Sequence, residues 1–346
     1  MPFASLLAGF VPVVLLLAAL RFLDSYKLVP RRMLLESVVA GALAAGFAYI
    51  AYRLLLDVAH VDRVILDRAI APLIEEVLKA AFVAWLLRTA QVGFMVDAAI
   101  CGFAVGTGFG IVENLYYAGA LRDLSLPLWL ARGLGTAVMH GSTTAMFAIV
   151  SMGLSERHGG GARLHLLVPG LLLAYTVHAL FNQLHLNPLI RASVLIATLP
   201  LLLLAVFERS ERATRDWLGS GLDGDVEVLE QILDGEVVGT RVGNYLESLK
   251  TRFPGAVVGD MLCLLRIHLE LSLRAKGMLI ARSAGVIVEP DASLHAALAE
   301  LRFLERAVGP IGCLAMLPLR RTSSRDLWQI LMLSRHAERR GSGRER

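Results

Sequence analysis

The run APLIEEVLKAAFVAWLL (residues 71–87) places two adjacent carboxylates and a lysine in a segment that is otherwise apolar. A helix of about 20 such residues can cross the hydrocarbon core of a bilayer. An ionisable side chain at mid-bilayer costs roughly 2.5–3.5 kcal/mol on insertion scales, so it normally faces the interior of a helix bundle. Glu75, Glu76 and Lys79 therefore indicate a membrane helix with a buried polar face.

The composition of the whole chain is that of a membrane protein. Of its 346 residues, 56% are hydrophobic and 18% are charged, and the mean hydropathy is +0.61, which excludes an ordinary soluble globular class. The apolar runs end near residue 207. We therefore predict a transmembrane domain over 1–207 and a cytoplasmic helical domain over 208–346, with a basic end from Arg320 onward.

The apolar segments predict an all-α fold: a polytopic membrane helix bundle of about seven transmembrane helices with a C-terminal soluble helical domain. The first run is too long for a signal peptide, so we expect it to be retained. Lys and Arg in the loops favour a cell-membrane protein with its N-terminus outside and its tail in the cytoplasm. The predicted spans lie near 4–23, 35–56, 69–88, 96–119, 128–153, 164–184 and 188–207.

Polar side chains inside four of these spans lie at a comparable depth. Because successive spans run in opposite directions, residues near the start of one helix and the end of the next approach the same surface. We expect them to form one layer near the extracytoplasmic side, containing carboxylates, imidazoles and an amide around one water, as in a hydrolytic site. The layer comprises Glu75, Glu76, Lys79, Glu113, His140, His178 and Asn182.

Other interpretations of these residues stay open at this point. Lys79 could form a buried ion pair with Glu75 or Glu76 that only fixes helix packing, and a buried layer of Glu and His also occurs in transporters and channels. The glycines of GFAVGTGFG (residues 102–110) predict close approach of helices rather than a phosphate loop, because they lie inside a span.

Four motifs in order resemble those of the PrsW family of intramembrane proteases, which is related to the CAAX prenyl endopeptidases. They are E-E-x-x-K at 75–79, GFGIVEN ending at Asn114, the mid-helix His140, and H-x-x-x-N at 178–182. The loop LDSYKLVPRR after the first span is similar as well. The resemblance implies cleavage of membrane-associated proteins, with an anti-sigma factor as the example in the best-known members. Lys79 and Glu113 depart from the related CAAX-type pattern, and the fourth motif ends in Asn182, where acidic residues are also seen in the family.

For the mechanism we expect Glu75 or Glu76 to act as general base while Lys79 holds the other. His140 and His178 would orient the water or stabilise the oxyanion, with Asn182 as a second donor. The alternative makes His140, His178 and Glu76 ligands of a zinc ion. The expected partners are a membrane-associated protein substrate and the lipid bilayer, with no nucleic acid.

Overall fold

The computed structural model describes residues 3–23, 28–120, 126–158, 162–183, 188–286, 292–319 and 324–341. These ranges are almost entirely helical and contain no β-strand. The predicted all-α fold is therefore confirmed. Asp24 and Tyr26 of the first loop, and Arg122 after the fourth predicted span, lie outside the described residues.

Twelve helices and one π turn, Leu66–Ile70, make up the described chain. Three residues of α-helix precede the π turn, and Asp62 caps them by accepting hydrogen bonds from the main-chain N–H groups of Val64 and Ile65. In order the helices are α1 (Phe3–Leu23), α2 (Arg31–Asp57), α3 (Arg63–Ile65), α4 (Ala71–Arg88), α5 (Met95–Ala120), α6 (Leu126–Arg157), α7 (Leu164–Gln183), α8 (Pro188–Leu233), α9 (Arg241–Leu249), α10 (Gly255–Ser283), α11 (Ala292–Ala315) and α12 (Ser324–Gly341).

Among the described residues, four helices are long and apolar enough to cross a membrane. They are α2, α5, α6 and α7, over the ranges Arg31–Asp57, Met95–Ala118, Gly133–Arg157 and Leu164–Gln183. Helices α1, α4 and α8 occupy the remaining predicted spans. Within its 18 residues, α4 carries Glu75, Glu76, Lys79 and Arg88, which lowers its hydropathy. A membrane protein is supported, and seven crossings stay a prediction.

Helix α5 is central to the first part of the chain and packs against α1, α2, α4 and α6. Its glycines permit the close contacts: a Cβ at Gly106 would collide with the main-chain carbonyl of His140 in α6, and one at Gly108 with that of Val38 in α2. The close approach predicted for this glycine run is confirmed. The Gly106 contact also fixes the distance between α5 and the helix that carries His140.

The chain divides into two compact units, residues 1–211 and 212–346. In the second unit, α10 packs against α9, α11 and α12, and its core side chains include the fully buried Met261, Leu264 and Leu271. The sequence places the boundary near residue 207. The assignment of the first unit as the protease domain and of the second as cytoplasmic stays a prediction.

Candidate active site

Six ionisable side chains from four helices meet inside the first unit. Each contacts at least one of the others, although His178 and Glu76, for example, are 102 positions apart in sequence. Helix α4 contributes three of them. Two of the three, Glu76 and Lys79, are three residues apart and lie on the same face of the helix. The six are Glu75, Glu76 and Lys79 from α4, Glu113 from α5, His140 from α6 and His178 from α7.

Glu76 is the centre of this cluster. Its Oε1 atom lies 2.6 Å from the Lys79 ammonium, 2.7 Å from His178 Nδ1 and 3.1 Å from the Thr143 hydroxyl. The Glu76 and Lys79 side chains are 1% and 0% exposed, so this is a fully buried ion pair. Glu76 Oε2 is also buried and makes no hydrogen bond to any residue that the structure describes.

The Lys79 ammonium determines the tautomer of His140. It lies 3.0 Å from His140 Nδ1, and an ammonium can only donate, so Nδ1 accepts this hydrogen bond. The ring proton of neutral His140 is therefore on Nε2, which lies 2.6 Å from Glu113 Oε2. His140 thus acts as a hydrogen-bond donor toward Glu113. The Phe109 ring packs against the His140 ring, with centroids 4.7 Å apart.

In His178 it is Nδ1 that donates a hydrogen bond, whereas in His140 Nδ1 accepts one. The His178 Nδ1–H donates to the Glu76 carboxylate at 2.7 Å, which leaves a lone pair on Nε2. Nε2 lies 3.7 Å from Glu75 Oε2, and the His178 ring stands edge-on to the His140 ring, with centroids 5.0 Å apart. The Glu75 side chain is 22% exposed, so it is the accessible carboxylate of the adjacent pair.

The two asparagines of the predicted motifs contact main-chain carbonyls instead of the ionisable cluster. Asn182, one turn after His178, is exposed, and its Nδ2 lies 3.4 Å from the main-chain oxygen of Asp67. Asn114 is buried, and its Nδ2 donates to the carbonyl of Gly133 at 2.9 Å. Asn114 therefore joins α5 to α6 next to Glu113.

Thr143 was not predicted from the sequence as part of the site. It is fully buried one turn after His140, and its hydroxyl lies 3.1 Å from Glu76 and 3.5 Å from Lys79. The available signal was its position three residues after His140, which puts both on one helix face. A threonine in an apolar helix usually bonds to its own main chain, so the sequence offered little reason to choose it.

The site can also supply ligands for a metal ion. Glu75, His140 and His178 each offer one ligand atom, and these atoms lie within 4.8 Å of one another. Two imidazoles and a carboxylate are a known ligand set of catalytic zinc, and the Glu76 contact orients His178 as a carboxylate orients a zinc-binding histidine. The residues therefore fit a metal site. The sequence-based alternative used Glu76 as the carboxylate ligand, whereas the structure groups Glu75 with the histidines, because His178 directs Nδ1 to Glu76 and Nε2 toward Glu75.

Comparison with known proteins gives a family for this arrangement. The model of the PrsW family of intramembrane metalloproteases matches residues 29–207, which include every side chain of the cluster. Comparisons with curated proteins and with solved structures gave no match. A match over more than half of the chain, joined to a cluster of glutamates and histidines among apolar helices, means that this membrane protein belongs to the PrsW family of intramembrane metalloproteases.

Proposed function

We propose that the chain is an intramembrane endopeptidase that hydrolyses a peptide bond of a membrane-associated protein, and that the cluster around Glu76 is its active site. The observation that carries the proposal is the division of roles between the adjacent glutamates. Lys79 holds Glu76 at 2.6 Å, whereas Glu75 is partly exposed beside His178. A carboxylate free of an ion pair and next to imidazoles can accept a proton from water.

In this mechanism Glu75 is the general base and Glu76 is a positioning group. Glu76 holds His178 by its Nδ1 atom and Lys79 by its ammonium, and Lys79 in turn sets the tautomer of His140. Without a metal ion, His140 keeps its proton on Nε2, and this N–H can stabilise negative charge as it forms on the scissile carbonyl oxygen. We assign Asn182 as a second donor to that oxygen.

A divalent metal ion would be held by Glu75, His140 and His178, and their ligand types favour zinc. When bound, it supplies a Lewis acid that polarises the scissile carbonyl. Because a carboxylate has two oxygens, Glu75 can hold an ion with one and accept a proton with the other. His140 would have to release the Nε2 proton that it now donates to Glu113.

The substrate class that we propose is a membrane-anchored protein cut on its extracytoplasmic side, of which an anti-sigma factor is the example that the family resemblance implies. The predicted orientation, with the N-terminus outside, places the cluster nearer that surface. Family membership favours the protease over the transporter alternative.

The proposal is tested by comparing the membrane proteomes of cells that carry the wild type and Glu75→Gln. We expect a protein fragment that is present with the wild type to disappear with the variant, because glutamine cannot accept the proton of water. Glu36→Gln is the matched control, since Glu36 is exposed and pairs with the exposed Arg32. Identical fragments in all three strains would contradict an endopeptidase function of this site.

Metal analysis of the purified protein tests the proposed zinc site separately. We expect about one zinc ion per chain in the wild type and its loss in His178→Ala, because each ligand of a three-residue site is needed for tight binding. His165→Ala is the control, because His165 is an exposed histidine on the same helix. A wild-type protein that cleaves substrate at full rate after its metal is removed would contradict the zinc assignment.

A further inference from the structure

The main chain is irregular immediately before the helix that carries the two glutamates. Residues Leu66–Ile70 form a π turn, in which the N–H of Ala71 donates to the carbonyl of Leu66, five residues earlier. A regular α-helix would instead use the carbonyl of Asp67, four residues earlier. Single π turns are uncommon and occur often at functional sites. Here the turn leads directly into α4.

The next residue, Pro72, removes the second donor that the Asp67 carbonyl could have used. If the π pattern continued, the main-chain N–H of residue 72 would donate to Asp67, but proline has no N–H. Ala71, the α-helical donor for the same carbonyl, is already bound to Leu66. Neither of these two main-chain positions therefore supplies a donor to the Asp67 carbonyl, which can accept a hydrogen bond from elsewhere.

A side chain of α7 lies within hydrogen-bonding distance of the Asp67 carbonyl. Asn182 Nδ2 lies 3.4 Å from the Asp67 carbonyl oxygen, one turn beyond His178. A carboxamide has a donor end and an acceptor end of nearly the same shape, and the contact decides which end is which. With one N–H directed to Asp67, Asn182 keeps the second N–H of the same nitrogen for another acceptor.

We infer that Pro72 is a positioning residue for Asn182. By leaving the Asp67 carbonyl without a main-chain donor, Pro72 makes that carbonyl an anchor for the Asn182 carboxamide, which then offers an N–H, and not its oxygen, to the substrate carbonyl during peptide hydrolysis. The inference rests on the proposed function, in which Asn182 stabilises the oxyanion. It adds a main-chain group outside the ionisable cluster, the Asp67 carbonyl, that sets the orientation of the Asn182 carboxamide.

The experiment is a double-mutant cycle between Pro72→Ala and Asn182→Ala in the full-length protein in bilayers. Its probe is a fluorescence-quenched peptide that spans the cleavage site of the fragment found by the proteome comparison. Alanine restores the N–H of residue 72, which competes with Asn182 for the freed carbonyl. We expect Asn182→Ala to lower kcat by about 10²-fold, and Pro72→Ala to lower it by about tenfold with KM unchanged. In the Asn182→Ala background, Pro72→Ala should have no further effect on kcat.

The stability of the variant separates positioning from a structural role. Pro72 is a buried residue in the first turn of α4, where proline is tolerated, so Pro72→Ala should unfold at a temperature close to that of the wild type while it turns over more slowly. Pro169→Ala is the matched control: it removes a proline inside α7, at an exposed position more than two turns before His178, and should leave kcat unchanged. If Pro72→Ala does not accumulate, Pro72→Val restores the same N–H with more of the buried volume retained.

The outcomes distinguish this inference from the proposed function. An unchanged kcat in Asn182→Ala would overturn the oxyanion assignment, and the inference with it. If Asn182→Ala is slow but Pro72→Ala is as fast as wild type, only the inference fails. An equal loss of kcat from Pro72→Ala in both backgrounds would likewise overturn it, because Pro72 would then act through something other than Asn182.

Discussion

Glu75→Gln is expected to lower the rate of peptide cleavage by about 10²- to 10⁴-fold, the contribution typical of a general base, while the unfolding temperature stays the same. Glutamine keeps the shape of the side chain but cannot accept the proton of water. Stability should not change, because Glu75 is partly exposed and its nearest ionic contact, to His178, is 3.7 Å long. Purified wild type and variant are compared by single-turnover cleavage in bilayers and by thermal unfolding.

Glu76→Gln is the informative comparison for Glu75. It should also reduce cleavage, but with a lower unfolding temperature, because Glu76 accepts hydrogen bonds from Lys79, His178 and Thr143 in a buried site. Loss of activity without loss of stability in Glu76→Gln, together with the reverse in Glu75→Gln, would exchange the two roles and contradict the assigned base.

Lys79→Met is expected to lower the free energy of unfolding by about 3–5 kcal/mol, because it leaves the Glu76 carboxylate buried without its ionic partner. The Lys79 and Glu76 side chains are 0% and 1% exposed, so water cannot replace the lost contact. His140 Nδ1 loses its donor at the same time. Reversible chemical unfolding of the detergent-solubilised protein provides the measurement.

Two further variants test this explanation of the Lys79 effect. The double variant Lys79→Met/Glu76→Gln should be more stable than Lys79→Met alone, because it removes the unpaired charge as well. Arg32→Met breaks an ion pair whose side chains are 89% and 45% exposed, and it should cost less than about 1 kcal/mol. If Lys79→Met is no more destabilising than Arg32→Met, the buried pair does not hold the site together.

Much of the candidate site could be predicted because charge inside a membrane is costly wherever it occurs. Glu113, His140 and His178 stand out in apolar spans without any knowledge of the fold, and alternating helix directions predict a common depth for them. The structure joins them through contacts of 2.6–3.7 Å. Their catalytic roles are the proposal that the variants above test.

Which of the two adjacent glutamates pairs with Lys79, and which stays accessible, could not be predicted in the same way. Successive residues on a helix diverge by about 100°, and Lys79 is within reach of both Glu75 and Glu76 along the helix. Only the packing of α6 and α7 decides, because Thr143 and His178 Nδ1 approach Glu76 and leave Glu75 partly exposed.

The sequence by itself determined that this is a helical membrane protein with a polar layer, because hydropathy, helix length and the cost of buried charge are properties of each segment alone. The tertiary structure decided which atoms meet: Lys79 with His140, Glu76 with His178, and the Asp67 carbonyl with Asn182. Those pairs depend on how closely α4, α5, α6 and α7 pack and on a π turn. A hydrogen bond requires its two atoms to lie within a few tenths of an ångström of the right distance, and only the assembled helices provide that placement.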